Sequence, residues 1–285
     1  MPADVEAWLQ ARELSFPDIR PGAQAQIAWA GAPGRVTPWS VVYLHGFSAT
    51  HREIAPVPQR VAQALGANLF LARLTGHGAD GAALGRATAG DWLRDLDIAL
   101  AIGRRIGGRV LVIATSTGAT LALLAAADPV RAAGLAGLAL ISPNLALASP
   151  AAVLLDLPLA RHWGPWLAGR QRGFAPVNAD HARWWTTDYP TAALFPMAAV
   201  MRAGRAVDPA RARVPALFVI NPADRVVDTG RIPDLAARWA AGADLARLTP
   251  GPGDDPHGHV LGGDILSPGL TGPVTDRILA FAGAR

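Results

Sequence analysis

The chain contains no cysteine and no lysine, and only 17% of its 285 residues are charged. Without cysteine there can be no disulfide, no thiolate metal site and no cysteine nucleophile, although the compartment stays open. Without lysine the protein cannot form a Schiff base of its own. All 26 basic residues are therefore arginine, and with the abundant alanine this fits the coding bias of a GC-rich bacterial genome. Against 22 acidic residues they leave a net charge of only +4. The arginines are scattered, in pairs at most, as at Arg104-Arg105. No basic helix or aromatic-interleaved patch offers nucleic acid a surface, so a solvated exterior is the reading and no nucleic-acid partner is expected.

Other signals are missing as well. The first residues carry Asp4 and Glu6 and no apolar core of a secretory signal. The longest apolar run, 110–127, approaches the length of a membrane span. Its centre, however, holds Thr115, Ser116, Thr117, Gly118 and Thr120, and its β-branched aliphatics (Val110, Val112, Ile113) sit only in the first half. A buried strand followed by a buried helix accounts for that asymmetry. A cytoplasmic protein without a membrane span is expected. No phosphate-binding glycine fingerprint or flavin motif is present, and His257 and His259 beside Asp254 and Asp255 read as a solvated loop, so no metal or cofactor is expected.

What is present is a large apolar content, 51%, enough for one large α/β domain or two modest ones. Residues 1–22, with Pro17 and Pro21, read as a polar lead-in. Strand-like runs at 24–29, 40–44, 67–72, 110–115 and 135–141 alternate with helical patterns. Thr50 to Glu53 has capping-box spacing, with a helix to about Leu65. Thr88 to Asp91 has it again, with a helix to about Ile106 whose stripe is Trp92, Leu96, Ala99 and Leu100. This alternation predicts a parallel sheet with helices on both faces, binding ligands at the carboxyl edge of its strands. Residues 145–213 differ: they are rich in proline and aromatics and show no strand-like run.

Two motifs fall at that carboxyl edge. Val110–Thr115 ends abruptly in Ser116, with Gly118 two positions on, and the strand 40–44 runs straight into His45-Gly46-Phe47. The first resembles the strand–turn–helix nucleophile elbow G-x-S-x-G of the α/β-hydrolases, with Ala114 in place of the first glycine. The second resembles their oxyanion loop. Gly76-His77-Gly78, the Thr88–Asp91–Trp92 segment and the aromatic-rich 145–213 occur with them, and the likeness is to bacterial carboxylesterases and monoacylglycerol-lipase-like enzymes. It implies an α/β-hydrolase fold: a mostly parallel central sheet with helices on both faces and a helical cap inserted after strand six. The core would be 1–144 and 214–285, the cap 145–213.

The resemblance also implies roles. Ser116 would be the nucleophile and the N–H groups of Phe47 and Thr117 the oxyanion hole. Asp224, in the loop after the strand 215–220, matches the family's acid. Asp228 reads instead as the cap of a helix over 229–239. For the base, His259 is followed by Val260 and Leu261, as in the family, and is preferred to His257. His45 and His77 read as structural loop residues. Phe47, Trp163, Trp184 and Trp185 are candidates for contact with a small-molecule acyl ester. The order Ser…Asp…His along the chain is that of the α/β-hydrolases. Ester hydrolysis is the first expectation. Thioester, lactone, amide, acyl-transfer or carbon–carbon chemistry on the same residues, and a non-enzymatic binding protein on the same fold, are the alternatives.

Overall fold

In the computed structural model, which describes residues 4–157 and 159–284, the apolar run around Ser116 resolves as the sequence pattern requires. Strand β4 (Gly107–Thr115) is followed at once by the helix Thr117–Ala127. The other strands are β1 (Gln26–Ala28), β2 (Thr37–Leu44), β3 (Asn68–Leu71), β5 (Leu135–Ile141), β6 (Gln171–Gly173), β7 (Asp188–Pro190), β8 (Ala216–Ile220) and β9 (Ala243–Arg247). Seven of them form one sheet in the order β1-β3-β2-β4-β5-β8-β9. Among the described pairings of this sheet, only β1–β3 is antiparallel. The insert follows β5, the fifth strand counted along this chain.

Both faces of the sheet are covered, which is why its strands read as unbroken hydrophobic runs. Successive strand residues point to opposite sides. Val42, Leu44, Val112, Ala114, Leu138 and Leu140 pack with the helices Ala89–Ile106 and Thr117–Ala127. Val41, Tyr43, Leu111, Ile113, Ala139 and Ile141 pack with Val57–Ala64 and Pro268–Gly283. The capping box at Thr88 forms, with the Thr88 hydroxyl accepting from the Asp91 N–H and the Asp91 carboxylate from that of Thr88. Among the described residues no helix is long and apolar enough to cross a membrane.

Several local expectations are corrected. The polar lead-in contains a helix, Val5–Leu14, capped by Asp4. Its buried stripe is Val5, Leu9 and Glu13, one position per turn, and the charge at the third position hides the pattern. Glu13 is buried because Arg73 donates to it twice, at 2.6 and 3.0 Å, and the Ala25 N–H donates at 2.9 Å. A short helix, Gly81–Arg86, was also not expected. The insert 145–213 does contain strands: β6 and β7 form a three-residue antiparallel ribbon, too short and polar to register as a periodicity. Asp228 does not cap a helix over 229–239. Its carboxylate takes the Gly230 N–H, and the helix begins only at Ile232, with Arg231 as its first flanking residue.

The insert is tied to the edge of the sheet at two places. The Arg20 guanidinium donates to the carbonyls of Arg183, Trp185 and Ala79, and the Thr186 N–H donates to the Ser48 carbonyl at 2.7 Å. Its last long helix, Leu194–Arg205, lies on Thr117–Ala127, with Met197 and Val200 in the core.

Candidate active site

The turn between β4 and its helix holds Ser116 at φ 53°, ψ −116°. A non-glycine residue there is strained, and the surroundings hold it in place. The Ser116 N–H donates to the Ile141 carbonyl at 2.9 Å, and its carbonyl accepts from the N–H groups of Thr120 (3.0 Å) and Asn144 (3.2 Å). The side chain is thereby lifted above the carboxyl edge of the sheet. The loop after β8 delivers Asp224, and the long loop after β9 delivers His259. Ser116 Oγ lies 3.0 Å from His259 Nε2, and His259 Nδ1 lies 2.8 Å from Asp224 Oδ2. The other Asp224 oxygen accepts from the N–H groups of Val226 and Val227 at 2.8 and 2.9 Å. Ser116, Asp224 and His259 are thus in one hydrogen-bonded line, although 143 residues separate serine from histidine.

His259 is held from below as well. The Asp255 carboxylate collects the N–H groups of His257, His259 and Val260 at 3.0, 2.9 and 2.9 Å. Ser142 Oγ donates to the His259 carbonyl at 2.7 Å. The expectation of a solvated loop at Asp255 is therefore corrected: this carboxylate is buried and braces the loop. A sequence signal existed, since an aspartate two residues before the chain turns back favours an Asx turn. His257 projects outward, its side chain 61% exposed, at the mouth of the site. Among the described residues no cluster of histidine and carboxylate side chains is placed to hold a metal.

Electrostatics separates the histidines. For His259, burial works against the charged form, but the hydrogen bond and charge of Asp224, with Glu53 and Asp255 adding, outweigh it and raise the imidazole above its ordinary value. Burial drives His77 down to about 4 and His45 well below its ordinary range. Both are neutral at neutral pH. His45 Nε2 accepts from the Leu74 N–H at 3.1 Å, so its Nδ1 carries the proton and donates to the Gly46 carbonyl at 2.9 Å. That bond fixes the Gly46–Phe47 peptide, and in a trans peptide the Phe47 N–H then points the opposite way. Neither histidine is part of the hydrogen-bonded line of Ser116, His259 and Asp224.

A cavity of about 300 Å³ opens over Ser116. Phe47, Trp185, Tyr189, Met197, Val226 and Leu266 make its walls mostly apolar. Asn144 Oδ1 and Thr117 Oγ1, beside the serine, are buried without a hydrogen-bond partner among the described residues. Of the four aromatic candidates, Phe47 and Trp185 line this cavity. Trp163 lines a second one of similar volume within the insert, which shares Leu147 and Tyr189 with the first. Trp184 lines neither: it packs on Gly22 with the guanidinium groups of Arg52 and Arg183 over its ring.

Glu53 is the residue that sequence reasoning placed wrongly. It caps no helix; the chain turns through 51–56 and Glu53 is 2% exposed beneath the His45–Phe47 loop. Its Oε2 accepts from the Gly46 N–H at 2.7 Å and the Tyr43 hydroxyl at 2.8 Å. The local spacing T-x-x-E matched a capping box, and no local signal could reveal partners seven and ten residues upstream.

Comparisons with known proteins agree on one scaffold. A sequence profile described as the alpha/beta hydrolase family matches residues 41–262. No curated protein matches the chain in sequence. Among solved structures, one of the metagenome-derived lipolytic enzymes LipS and LipT is 21% identical, covers 94% of this chain and 100% of its own, and has a TM-score of 0.73. The monoacylglycerol lipase of Paleococcus ferrophilus is 14% identical, with coverages of 92% and 99% and a TM-score of 0.66. The enol-lactonase of Burkholderia xenovorans is 16% identical, with 92% and 98% covered and a TM-score of 0.56. At these identities the likeness is one of fold.

Proposed function

Since the chain belongs to the alpha/beta hydrolase family, we propose that it is a serine hydrolase cleaving carboxylic esters through an acyl-enzyme on Ser116. The observation that carries this is the unbroken line from Ser116 Oγ to His259 to Asp224, at 3.0 and 2.8 Å, on a strained strand–helix turn. In this reading His259 Nε2 takes the hydroxyl proton as Oγ attacks the acyl carbonyl. Asp224 holds the ring in the required tautomer and stabilises its charged form. The Phe47 and Thr117 N–H groups receive the developing oxyanion. Thr117 opens its helix, where an N–H has no intrahelical acceptor. The alcohol leaves with the proton from His259, and a water activated by His259 then releases the acid. The insert 145–213 acts as a cap over the acyl group.

Labelling with a fluorophosphonate probe, with the adduct mapped by peptide mass, tests the reading. The expected result is one adduct, on Ser116, together with turnover of p-nitrophenyl esters. No adduct and no turnover would leave a binding protein on this fold. A thioester and a lactone assayed beside the ester assign the reaction class.

The raised titration point of His259 sets the pH dependence. The base must be neutral, so activity is lost as pH falls through its titration point. The acid limb of kcat/KM is expected above the ordinary histidine value of about 6.5. A limb centred at or below that value would contradict the electrostatics of the site.

The second cavity gives a prediction about chain length. A short acyl group fits over Ser116; a long one must pass Leu147 and Tyr189 into the space lined by Trp163 and Phe195. Ala152→Phe fills that space without touching the first cavity. It is expected to lower kcat/KM for p-nitrophenyl palmitate about tenfold while leaving the butyrate ester unchanged. Equal losses on both esters, or none, would show that the acyl chain takes another route.

A further inference from the structure

A fully buried carboxylate lies against the site without belonging to the line of Ser116, His259 and Asp224. Glu53 touches one backbone segment of the proposed oxyanion hole directly and reaches the other through the Tyr43 side chain. Through Oε2 it holds the Gly46 N–H at 2.7 Å, in the loop that carries Phe47. Through the same oxygen it holds the Tyr43 hydroxyl at 2.8 Å, and Tyr43 lies 3.3 Å from Thr115 Oγ1. Since the Tyr43 proton goes to the carboxylate, Thr115 is the donor in that last bond. Thr115 is the final residue of β4, one before Ser116 and two before Thr117. The second oxygen and the nucleophile's Cβ crowd the same side of Gly46: a Cβ there would lie 2.6 Å from Glu53 Oε1 and 3.1 Å from Ser116 Cβ.

We infer that Glu53 is a positioning residue for the oxyanion hole, its carboxylate setting the distance between the loop that carries the Phe47 N–H and the elbow that carries the Thr117 N–H. The inference rests on the hydrolase reading above. His45 orients the Gly46–Phe47 peptide; Glu53 holds the preceding peptide and anchors it to the neighbouring strand. Oxyanion donors act by being fixed before charge develops, and a misplacement of a fraction of an ångström lowers their contribution. A negative charge close to the hole would oppose the oxyanion. Burial raises the Glu53 carboxyl above its ordinary value, which lessens the charge it holds at a given pH, against the opposing pull of its bonds to Gly46 and Tyr43 and of the charge on His259.

Two substitutions of similar volume separate positioning from packing. Glu53→Gln keeps an oxygen that accepts from both Gly46 and Tyr43. Glu53→Met keeps the bulk and removes the acceptor. Each is assayed on a p-nitrophenyl ester for kcat and KM separately, and for affinity toward a trifluoromethyl ketone, whose adduct with serine places an oxyanion in the hole. Glu53→Met is expected to lose about 30- to 100-fold in kcat, with KM within about twofold and ketone affinity falling in parallel. Glu53→Gln is expected to stay within about threefold of wild type in all three.

A folded Glu53→Met with wild-type kcat and ketone affinity, or one that loses only KM, overturns the inference. Should Glu53→Met not fold, Tyr43→Phe removes only the link toward Thr115. It is expected to lower kcat about threefold to tenfold at constant KM, and an unchanged kcat would overturn the inference equally. Wild-type protein that neither turns over esters nor binds the ketone overturns the hydrolase reading and this one with it. Wild-type turnover with an unaffected Glu53→Met overturns this one alone.

Discussion

Ser116→Ala is expected to lower kcat for p-nitrophenyl esters by about four to six orders of magnitude, with KM little changed. The size follows from what remains. The variant keeps His259, Asp224, the backbone donors and both cavities, so substrate still binds and water still has a base beside it. It lacks the proposed nucleophile, the hydroxyl that lies 3.0 Å from His259 Nε2. Thermal stability should barely move, because the hydroxyl's one partner is the histidine and the strained φ of 53° is kept. The comparison that matters is therefore turnover against melting temperature on the same preparation. A folded Ser116→Ala with activity near wild type would remove the acyl-enzyme mechanism, whatever the distances at the site.

Much of this site could be read without coordinates because its parts sit where strands end. A strand end is a local event: Val110–Thr115 stops at Ser116, 40–44 stops at His45, and 215–220 stops before Asp224. Parallel strands then bring those ends to one edge regardless of what lies between them. His259 was legible for a different reason. It lies on no strand end, and its assignment rested on the family pattern of an aliphatic residue following the histidine. Val260 and Leu261 are indeed buried and anchor the loop.

What could not be read is held together by charge or by contacts remote in sequence. The helix Val5–Leu14 was hidden because one of its three buried positions is Glu13, acceptable only with Arg73 bonded to it sixty residues on. Glu53 and Asp255 were given surface roles because carboxylates usually have them. Each is buried here by backbone N–H groups it satisfies, and such partners do not appear in any local pattern. Trp184 and Trp185 are adjacent and looked equivalent. The structure sends Trp185 into the cavity over Ser116 and Trp184 onto Gly22 and Arg52, away from it. Composition could promise aromatics near the site but not which of two neighbours would face it.

The same turn predicts a large effect on folding. Gly118 lies where the helix after Ser116 passes the end of β2. A Cβ there would sit 2.6 Å from the His45 carbonyl oxygen and closer still to that of Leu44. Neither obstacle is a side chain that can rotate away. Both belong to the strand end that leads into the His45–Phe47 loop, so accommodating one methyl group means moving that loop or the helix. Overpacking of this kind costs about 3 kcal/mol. In a chain of this size that corresponds to a fall in melting temperature of roughly 6 to 12 °C. Gly118→Ala is expected to show that fall and, at temperatures where it stays folded, a drop in kcat larger than its change in KM, because the displaced segment carries Phe47. Gly272→Ala is the control. It lies within the helix Pro268–Gly283 with nothing within 4 Å of its Cβ position, and replacing a helical glycine by alanine stabilises by about 0.5 to 1 kcal/mol. If both substitutions leave the melting temperature and kcat alike, the close approach of helix and strand at the elbow is not what holds the His45–Phe47 loop in place.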